Sequence, residues 1–307
     1  MNPEDMKDKL MELGPSGVSY KDILNAKMMG LRLDGLASFR VCMAQRERQR
    51  KLCGFGAERS ITNKLIGYEF AEKIGLKTPL IRKTPTRIAD AVFLPGTVVK
   101  PVSSMGSCGV FMMLQDGSIV SCRERKIVSR SSMYKSIGEY MDTGKIPSDK
   151  FIVEKIIMDY ANPSNPARDI KFYMFYGKTG FILEMSRFPP SKDGKYMLCY
   201  LDENMNRINI RSVPYDHFDG LGVQPEHISL AKSVSTKIPS PFIRLDFLYG
   251  VDGLYFVEFT GGTGNFDEIT REYDSLLGDM FVEAEGNLTK DLLLGKKFDP
   301  IFHPRPK

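Results

Sequence analysis

Residues 241–265 constrain this chain more than any other stretch. Two apolar and aromatic runs flank Gly250-Val251-Asp252-Gly253, and the second run ends in Gly261-Gly262-Thr263-Gly264-Asn265. Such a pattern reads as a β-hairpin. Side chains two apart share a strand face, so Arg244 and Asp246 point together, as do Glu258 and Thr260. Apart from Tyr249 and Tyr255, these four are the polar residues of the two runs. A three-residue connection with a bulge sets Asp246 opposite Glu258 and Arg244 opposite Thr260. A strict two-residue turn puts them on opposite faces. In the first arrangement the two carboxylates can hold a hard cation such as Mg²⁺. The plainer alternative is a solvated face with ordinary charges.

The rest of the chain narrows the choice. At 307 residues it is long enough to bury a full core in two or three subdomains. Hydrophobic content of 42% and charged content of 26% are those of an ordinary soluble protein. The five cysteines show neither paired metal spacing nor a disulfide framework, which favours a reducing compartment. There is no basic-then-apolar leader pattern and no run of 18 apolar residues, so the expectation is a cytoplasmic protein without a membrane span. The net charge of +5 suits a protein that handles anions such as nucleotides. The densest basic run, residues 46–51, continues a helical pattern and reads as a solvated face. Basic residues do not interleave with aromatics, so nucleic acid is not an expected partner. Three widely spaced histidines leave little material for a histidine metal site or a Ser/His/Asp triad.

Periodicity divides the chain into a helical N-terminal region (1–62, with helices near 5–13, 20–29 and 33–52) and a linking helix and connection (63–91). Residues 92–157 follow with extended segments at 92–94 and 97–101, a small-residue loop, strands at 110–114, 118–121 and 151–157, and a helix at 133–141. The last part, 158–307, holds strands at 169–177, 181–187 and 197–201, a helix at 225–236, the opening hairpin, and helices at 268–285 and 288–294. The fold class expected is α+β.

Two further places carry chemistry. The loop Ser103-Ser104-Met105-Gly106-Ser107-Cys108-Gly109 lies beside Lys100, and its small residues let backbone N–H groups approach an anion. It is not a Walker A loop, and no Gly-x-Gly-x-x-Gly unit is present. Glu154-Lys155 places two opposite charges in an apolar strand. Buried there, they need partners such as an adenine amino group or a phosphate; at an edge, both heads sit in water. Asp169 and Lys171 share a strand face in the same way.

The ordered set resembles the ATP-grasp superfamily of ATP-dependent ligases, and within it the branch related to the teichuronopeptide biosynthesis protein TupA. The motifs that carry the resemblance are Asp169-Ile-Lys171-Phe-Tyr-Met-Phe-Tyr-Gly177-Lys178, Phe242-Ile-Arg244-Leu-Asp246-Phe-Leu and Phe256-Val-Glu258-Phe-Thr260. The resemblance implies two α+β subdomains gripping ATP, with a short helical N-terminal region. It implies Lys100 on the α/β-phosphates beneath Ser103, Ser104, Gly106, Ser107 and Gly109. Glu154 and Lys155 would bracket the adenine, with the Ile157 backbone at its edge and Asp169 on the ribose, beside Lys171. Asp246 and Glu258 would hold one or two Mg²⁺, and Arg244 would steady the reacting phosphoryl group. Thr260 stands where many relatives have asparagine, and Asn265 is a substitute ligand from the next loop. Cys108 reads as a small packing residue.

The reaction implied is carboxylate–amine ligation: a substrate carboxylate takes the γ-phosphoryl group, and an amine then displaces phosphate. Phosphoryl transfer asks mainly for positioning and charge neutralisation, so no histidine or cysteine nucleophile is required. The partners implied are a small-molecule, peptide or sugar-acid carboxylate and an amine, in cell-surface polymer or natural-product synthesis. The alternatives are a kinase acting on a sugar or polyol hydroxyl, and a non-catalytic nucleotide-binding protein.

Overall fold

Capping residues start the N-terminal helices. The computed structural model describes residues 2–17, 19–31, 37–104, 106–186, 197–262 and 268–303. Helix α1 (Pro3–Gly17) runs through Gly14-Pro15, past the end near residue 13 expected from the sequence. Helix α2 (Tyr20–Met28) opens with a capping box between Ser19 and Asp22. Ser38 caps α3 (Phe39–Cys53), which stops at Gly54 in the left-handed region. Asn63 caps α4 (Lys64–Lys73), accepting hydrogen bonds from the Leu65 and Ile66 amides.

The first sheet is antiparallel and six-stranded: β1 (Leu80–Thr86), β2 (Thr97–Pro101), β3 (Phe111–Met113), β4 (Ile119–Ser121), β5 (Lys126–Val128) and β6 (Phe151–Lys155), in the order β1-β6-β2-β3-β4-β5. Alternation sorts its residues. Val99, Phe111, Met113, Ile119, Phe151 and Val153 turn to one side, under Met133 and Ile137 of α5 (Arg130–Asp142). Val98, Lys100, Met112 and Glu154 therefore face the other way. Strands β1 and β5 were not evident in the sequence. Both are edge strands, where Pro85 and a mostly exposed β5 are tolerated. Residues 92–94, expected to be extended, lie outside the strands.

The second sheet has five antiparallel strands in the order β11-β10-β7-β8-β9: β7 (Asp169–Phe175), β8 (Lys178–Ser186), β9 (Met197–Leu201), β10 (Ile243–Gly250) and β11 (Gly253–Thr260). Its back face carries Ile170, Phe172, Met174, Ile182, Leu245 and Phe247, packed against α4 and against Ile228, Ala231 and Val234 of α6 (Pro225–Ser235). Burying each such side chain stabilises the fold by roughly 1.5–3 kcal/mol. Ile152 of the first sheet and Val102, just past the end of β2, join this cluster, so α4 and the second sheet share one core with that sheet.

Helix α7 (Arg271–Leu293) is continuous, where two helices were expected. Gly286 costs about 1 kcal/mol relative to alanine, and burial of Leu277, Phe281 and Ala284 outweighs it. Helices α3 and α7 cover one end of the second sheet through edge-to-face contacts of Phe39 with Phe175 and Phe242. A Cβ on Gly278 would lie 2.6 Å from the Ala37 carbonyl carbon, so the chain entering α3 rests directly on α7. Ser38 and the Arg40 amide both donate to Asp274 of α7, at 2.7 and 2.9 Å.

Candidate functional site

The hairpin achieves the facing carboxylates by an unexpected route. Gly250 pairs with Gly253, so the connection is the two-residue turn Val251-Asp252. Further along, Phe247 pairs with Phe256 but Asp246 pairs with Glu258, leaving Val257 as an extra residue. That mid-strand bulge supplies the offset expected of the turn and brings Arg244 opposite Thr260. On the other flank β7 places Tyr173 beside Arg244, Lys171 beside Asp246 and Asp169 beside Leu248.

Asp246 is the hub of this face, and it is 2% exposed. Arg244 grips it as a fork, Nε to Oδ1 at 2.6 Å and Nη2 to Oδ2 at 2.7 Å, while Lys171 Nζ reaches Oδ2 at 2.7 Å. Burial alone would raise the Asp246 carboxyl; Arg244 and then Lys171 overcome it and hold it well below the usual carboxylate range. Burial likewise opposes the charge on Arg244, and Asp246 outweighs it, so the guanidinium is raised above its ordinary value. Arg244 Nη2 also donates to Thr260 Oγ1 at 3.1 Å and stands 3.8 Å from Glu258 Oε1. The Glu258 side chain keeps 36% of its surface open.

The sheet facing it presents a second set of charges. Lys100 Nζ lies 2.6 Å from Glu154 Oε1 and 2.9 Å from the Tyr68 hydroxyl, which itself donates to Glu154. Burial first, then Glu154, pushes the Tyr68 hydroxyl well above its usual range. Lys64 opens α4 one turn before Tyr68 and lines the same cleft. Burial and then Lys100 push its ammonium below its usual value, while Glu258 and Glu154 pull the other way. Lys155 turns aside: its ammonium donates to the Tyr255 hydroxyl at 2.9 Å and lies 4.4 Å from that ring.

A cleft of about 600 Å³ separates the two sheets. Of the residues singled out in the sequence it brings together Lys100, Ser104, Gly106, Ser107, Glu154, Lys155, Ile157, Asp169, Lys171, Arg244, Asp246, Glu258 and Thr260. Ser103 and Gly109 do not line it. Ser103 is exposed, and Gly109 is buried where a Cβ would come within 2.5 Å of Ile146 Cδ1, so that glycine serves packing. Asn265 lies outside the described residues. The loop takes positive φ at Gly106 (56°) and Ser107 (62°), and Arg123 Nη1 donates to the Gly106 carbonyl at 2.8 Å. Cys108 is buried, as a packing residue should be.

Sequence reasoning missed Lys64 and Tyr68. Their spacing of four after the Asn63 cap, on a helix preceding a strand lysine, was the available signal. It also misjudged Arg46, which turns inward to the carbonyls of Phe242 (3.1 Å) and Gly261 (3.3 Å) and to Glu58 (2.8 Å), bracing both ends of the hairpin. Val98, Met112, Ile156, Ala167 and Leu248 make one end of the cleft apolar. Among the described residues no group of three or more His, Cys, Asp or Glu side chains could hold a metal ion. The pair Asp246 and Glu258, with the Thr260 hydroxyl, offers hard oxygen donors, which suit Mg²⁺.

Two α+β halves gripping one cleft from opposite sides form an ATP-grasp fold. The family model described as TupA-like ATPgrasp matches residues 47–282, and the chain belongs to that family. Solved ATP-grasp structures are similar to it at low identity. The D-alanine–D-alanine ligase of Bacillus anthracis is 19% identical with a TM-score of 0.43, over 77% of this chain and 71% of that one. The Helicobacter pylori D-alanine–D-alanine ligase is 13% identical with a TM-score of 0.38, over 75% and 60%. The ATP-grasp ligase PsnB, complexed with minimal precursor, is 10% identical with a TM-score of 0.39, over 74% and 61%. No curated protein matches.

Proposed function

We propose that the protein is an ATP-dependent carboxylate–amine ligase that works through an acylphosphate. The observation that carries this reading is the meeting of Arg244, Lys171, Asp246 and Glu258 with Lys100, Lys64 and the Gly106-Ser107 loop across one cleft. Those six charges would be poorly matched to a neutral ligand, and a triphosphate with a hard cation balances them.

In this reading the base occupies the apolar end, with the Ile157 backbone and Lys155 at its edge and Asp169 near the ribose. Lys100, Lys64 and the loop amides bind the phosphate chain. Asp246 and Glu258 would hold Mg²⁺, which supplies positive charge to the phosphates when bound. Arg244 and Lys171 stand where negative charge develops. The substrate carboxylate oxygen attacks the γ-phosphorus, the bond to the bridging oxygen breaks, and ADP leaves. An amine then attacks the acyl carbon, forming the amide as inorganic phosphate departs with the electron pair of the broken C–O bond. The protein supplies position and charge at each step rather than a covalent nucleophile. The acyl donor class that fits the resemblance is a sugar acid, amino acid or peptide.

The test pairs thermal stabilisation with trapping. A nucleotide at one hundred times its dissociation constant adds about 2.7 kcal/mol of stability. The wild type should gain Mg²⁺-dependent stability from ATP, and Glu258→Gln, a change at a half-open side chain, should lose the Mg²⁺-dependent part. With carboxylate pools, ATP and hydroxylamine, the wild type should yield a hydroxamate. ATP turnover that phosphorylates hydroxyl compounds and gives no hydroxamate would replace the ligase with a kinase, and absence of nucleotide stabilisation would leave the fold without the activity.

A further inference from the structure

The pairing of β10 with β11 ends at Arg244 and Thr260, and among the described residues no further rung follows on that side. Arg244 stands where negative charge develops in the nucleotide reading, so the hairpin is unpaired just where its geometry matters to the reaction. A side chain takes the place of the missing rung. Arg46 of α3 donates through Nη1 to the Phe242 carbonyl at 3.1 Å and to the Gly261 carbonyl at 3.3 Å. One nitrogen thus bridges the two strands immediately beyond their last pair.

The same guanidinium is fixed from its other side. Nη2 donates to Ser240 Oγ and lies 2.8 Å from Glu58 Oε1, and Ser240 in turn donates to the Phe242 carbonyl. Glu58 sits in a short 3-10 turn, Ala57–Thr62, and is 8% exposed. It also rests on the second strand: a Cβ on Gly261 would lie 2.8 Å from Glu58 Cγ, so the bare glycine backbone admits this approach. Arginine suits the position because its donors are spread in a rigid planar fork. A lysine, with a single ammonium, cannot reach all of these acceptors together.

A buried ion pair adds little net stability over well-packed apolar groups, because desolvating both charges offsets their attraction. What the Arg46–Glu58 pair fixes is geometry: the separation of the strand ends that carry Arg244 and Thr260, and the start of Gly261-Gly262. Thr260 Oγ1 accepts from Arg244 at 3.1 Å, and Gly262 lines the cleft. Lys100 and the phosphate loop stand on the opposite wall. We propose that Arg46, held by Glu58, is a positioning residue for phosphoryl transfer. It aligns Arg244 and the Gly261-Gly262 segment on the transferring group, and it contributes little to binding of the nucleotide in its ground state. Arg46 lies one residue ahead of the family match, so this support comes from the N-terminal helical region. The inference rests on the nucleotide reading above, and its test separates the two.

Calorimetry on the full chain with Mg²⁺ compares ADP alone with ADP plus aluminium fluoride, an anion that mimics the transferring phosphoryl group. The proteins are wild type, Arg46→Lys and Glu58→Gln. A site complementary to the transferring state holds its mimic more tightly, so fluoride should improve binding to wild type at least about tenfold. Arg46→Lys should keep its affinity for ADP within about twofold and lose most of the fluoride gain, since a hydrogen bond to a charged group corresponds to about tenfold. Glu58→Gln, with the same shape and no charge, should lose part of that gain. If ADP binding weakens in step with the fluoride complex, Arg46 is a structural brace and the proposal fails. A fluoride gain that survives both substitutions overturns it as well. Should Arg46→Lys fail to fold, Glu58→Gln carries the test alone. A wild type that binds ADP with no fluoride gain overturns the positioning role and leaves the nucleotide site in place, whereas one that binds neither removes the nucleotide reading itself.

Discussion

Asp246 accepts from a guanidinium and an ammonium while almost wholly shielded from water. Removing one partner of such a set leaves the others buried and unpaired, which costs about 3–5 kcal/mol. Asp246→Asn keeps the shape and deletes the charge, so it should destabilise by that amount at neutral pH. The acid dependence follows from the sign of the shift. The folded-state carboxyl lies below its ordinary value of 3.8, so its contribution is fully present above that value and fades as pH falls through the lower, folded one. Urea melts at pH 7 and pH 3 should therefore show the gap between wild type and variant narrowing in acid. A gap that stays constant would mean that the charge set contributes little to the fold. At this scale much of the site was legible. Arg244, Asp246, Glu258 and Thr260 announce themselves by period-two spacing in an apolar strand. Lys64 and Tyr68 did not, because a lysine in a first helical turn looks solvated until the helix is docked, and Tyr68 meets Glu154 across 86 positions.

Elements were read better by type than by edge. The hairpin was evident, but its register is set by Val257 rather than by the turn, and nothing in a run of β-formers marks which residue will bulge. Edge strands β1 and β5 have weak patterns because only one flank is paired. Helix α7 crosses Gly286 on the strength of the burial before it, with partly buried Leu288 still packed on the same cluster beyond. Packing between elements offers its own test at Gly278. A methyl group there meets the Ala37 backbone at 2.6 Å, and backbone cannot rotate away as a side chain can. Gly278→Ala should force α7 off the start of α3 and cost about 1–3 kcal/mol, read as a lower melting temperature. Nucleotide stabilisation relative to each protein's own baseline should persist, since neither helix lines the cleft. An unchanged melting point would show that the helices shift apart freely.

Across the whole molecule, cooperativity should follow the cores. Ile152 of the first sheet and Val102 just past β2 sit in the same apolar cluster as α4 and the back of the second sheet, so the two walls of the cleft should unfold together. Helices α1 and α2 are differently placed. Their buried Met6, Leu10 and Ala26 form a cluster with Leu31 alone among the described residues, and their ion pair Lys9–Asp22 is internal. The family match begins beyond them, at residue 47. Truncation tolerance depends on burial and bonding of the segment removed rather than on its position. A chain starting at residue 37 keeps Phe39, Ser38 and Arg46, and with them the docking of α3 on α7 and the brace on the hairpin. It should melt within about 2 °C of the full chain and retain ATP stabilisation, because a loss of less than about 1 kcal/mol moves the midpoint of a domain this size by only a few degrees. A chain starting at residue 47 loses Arg46 and Phe39 and should melt far lower. If both truncations were equally damaging, α1 and α2 would have to contribute to the main core, and the separation drawn from their apolar cluster would be wrong.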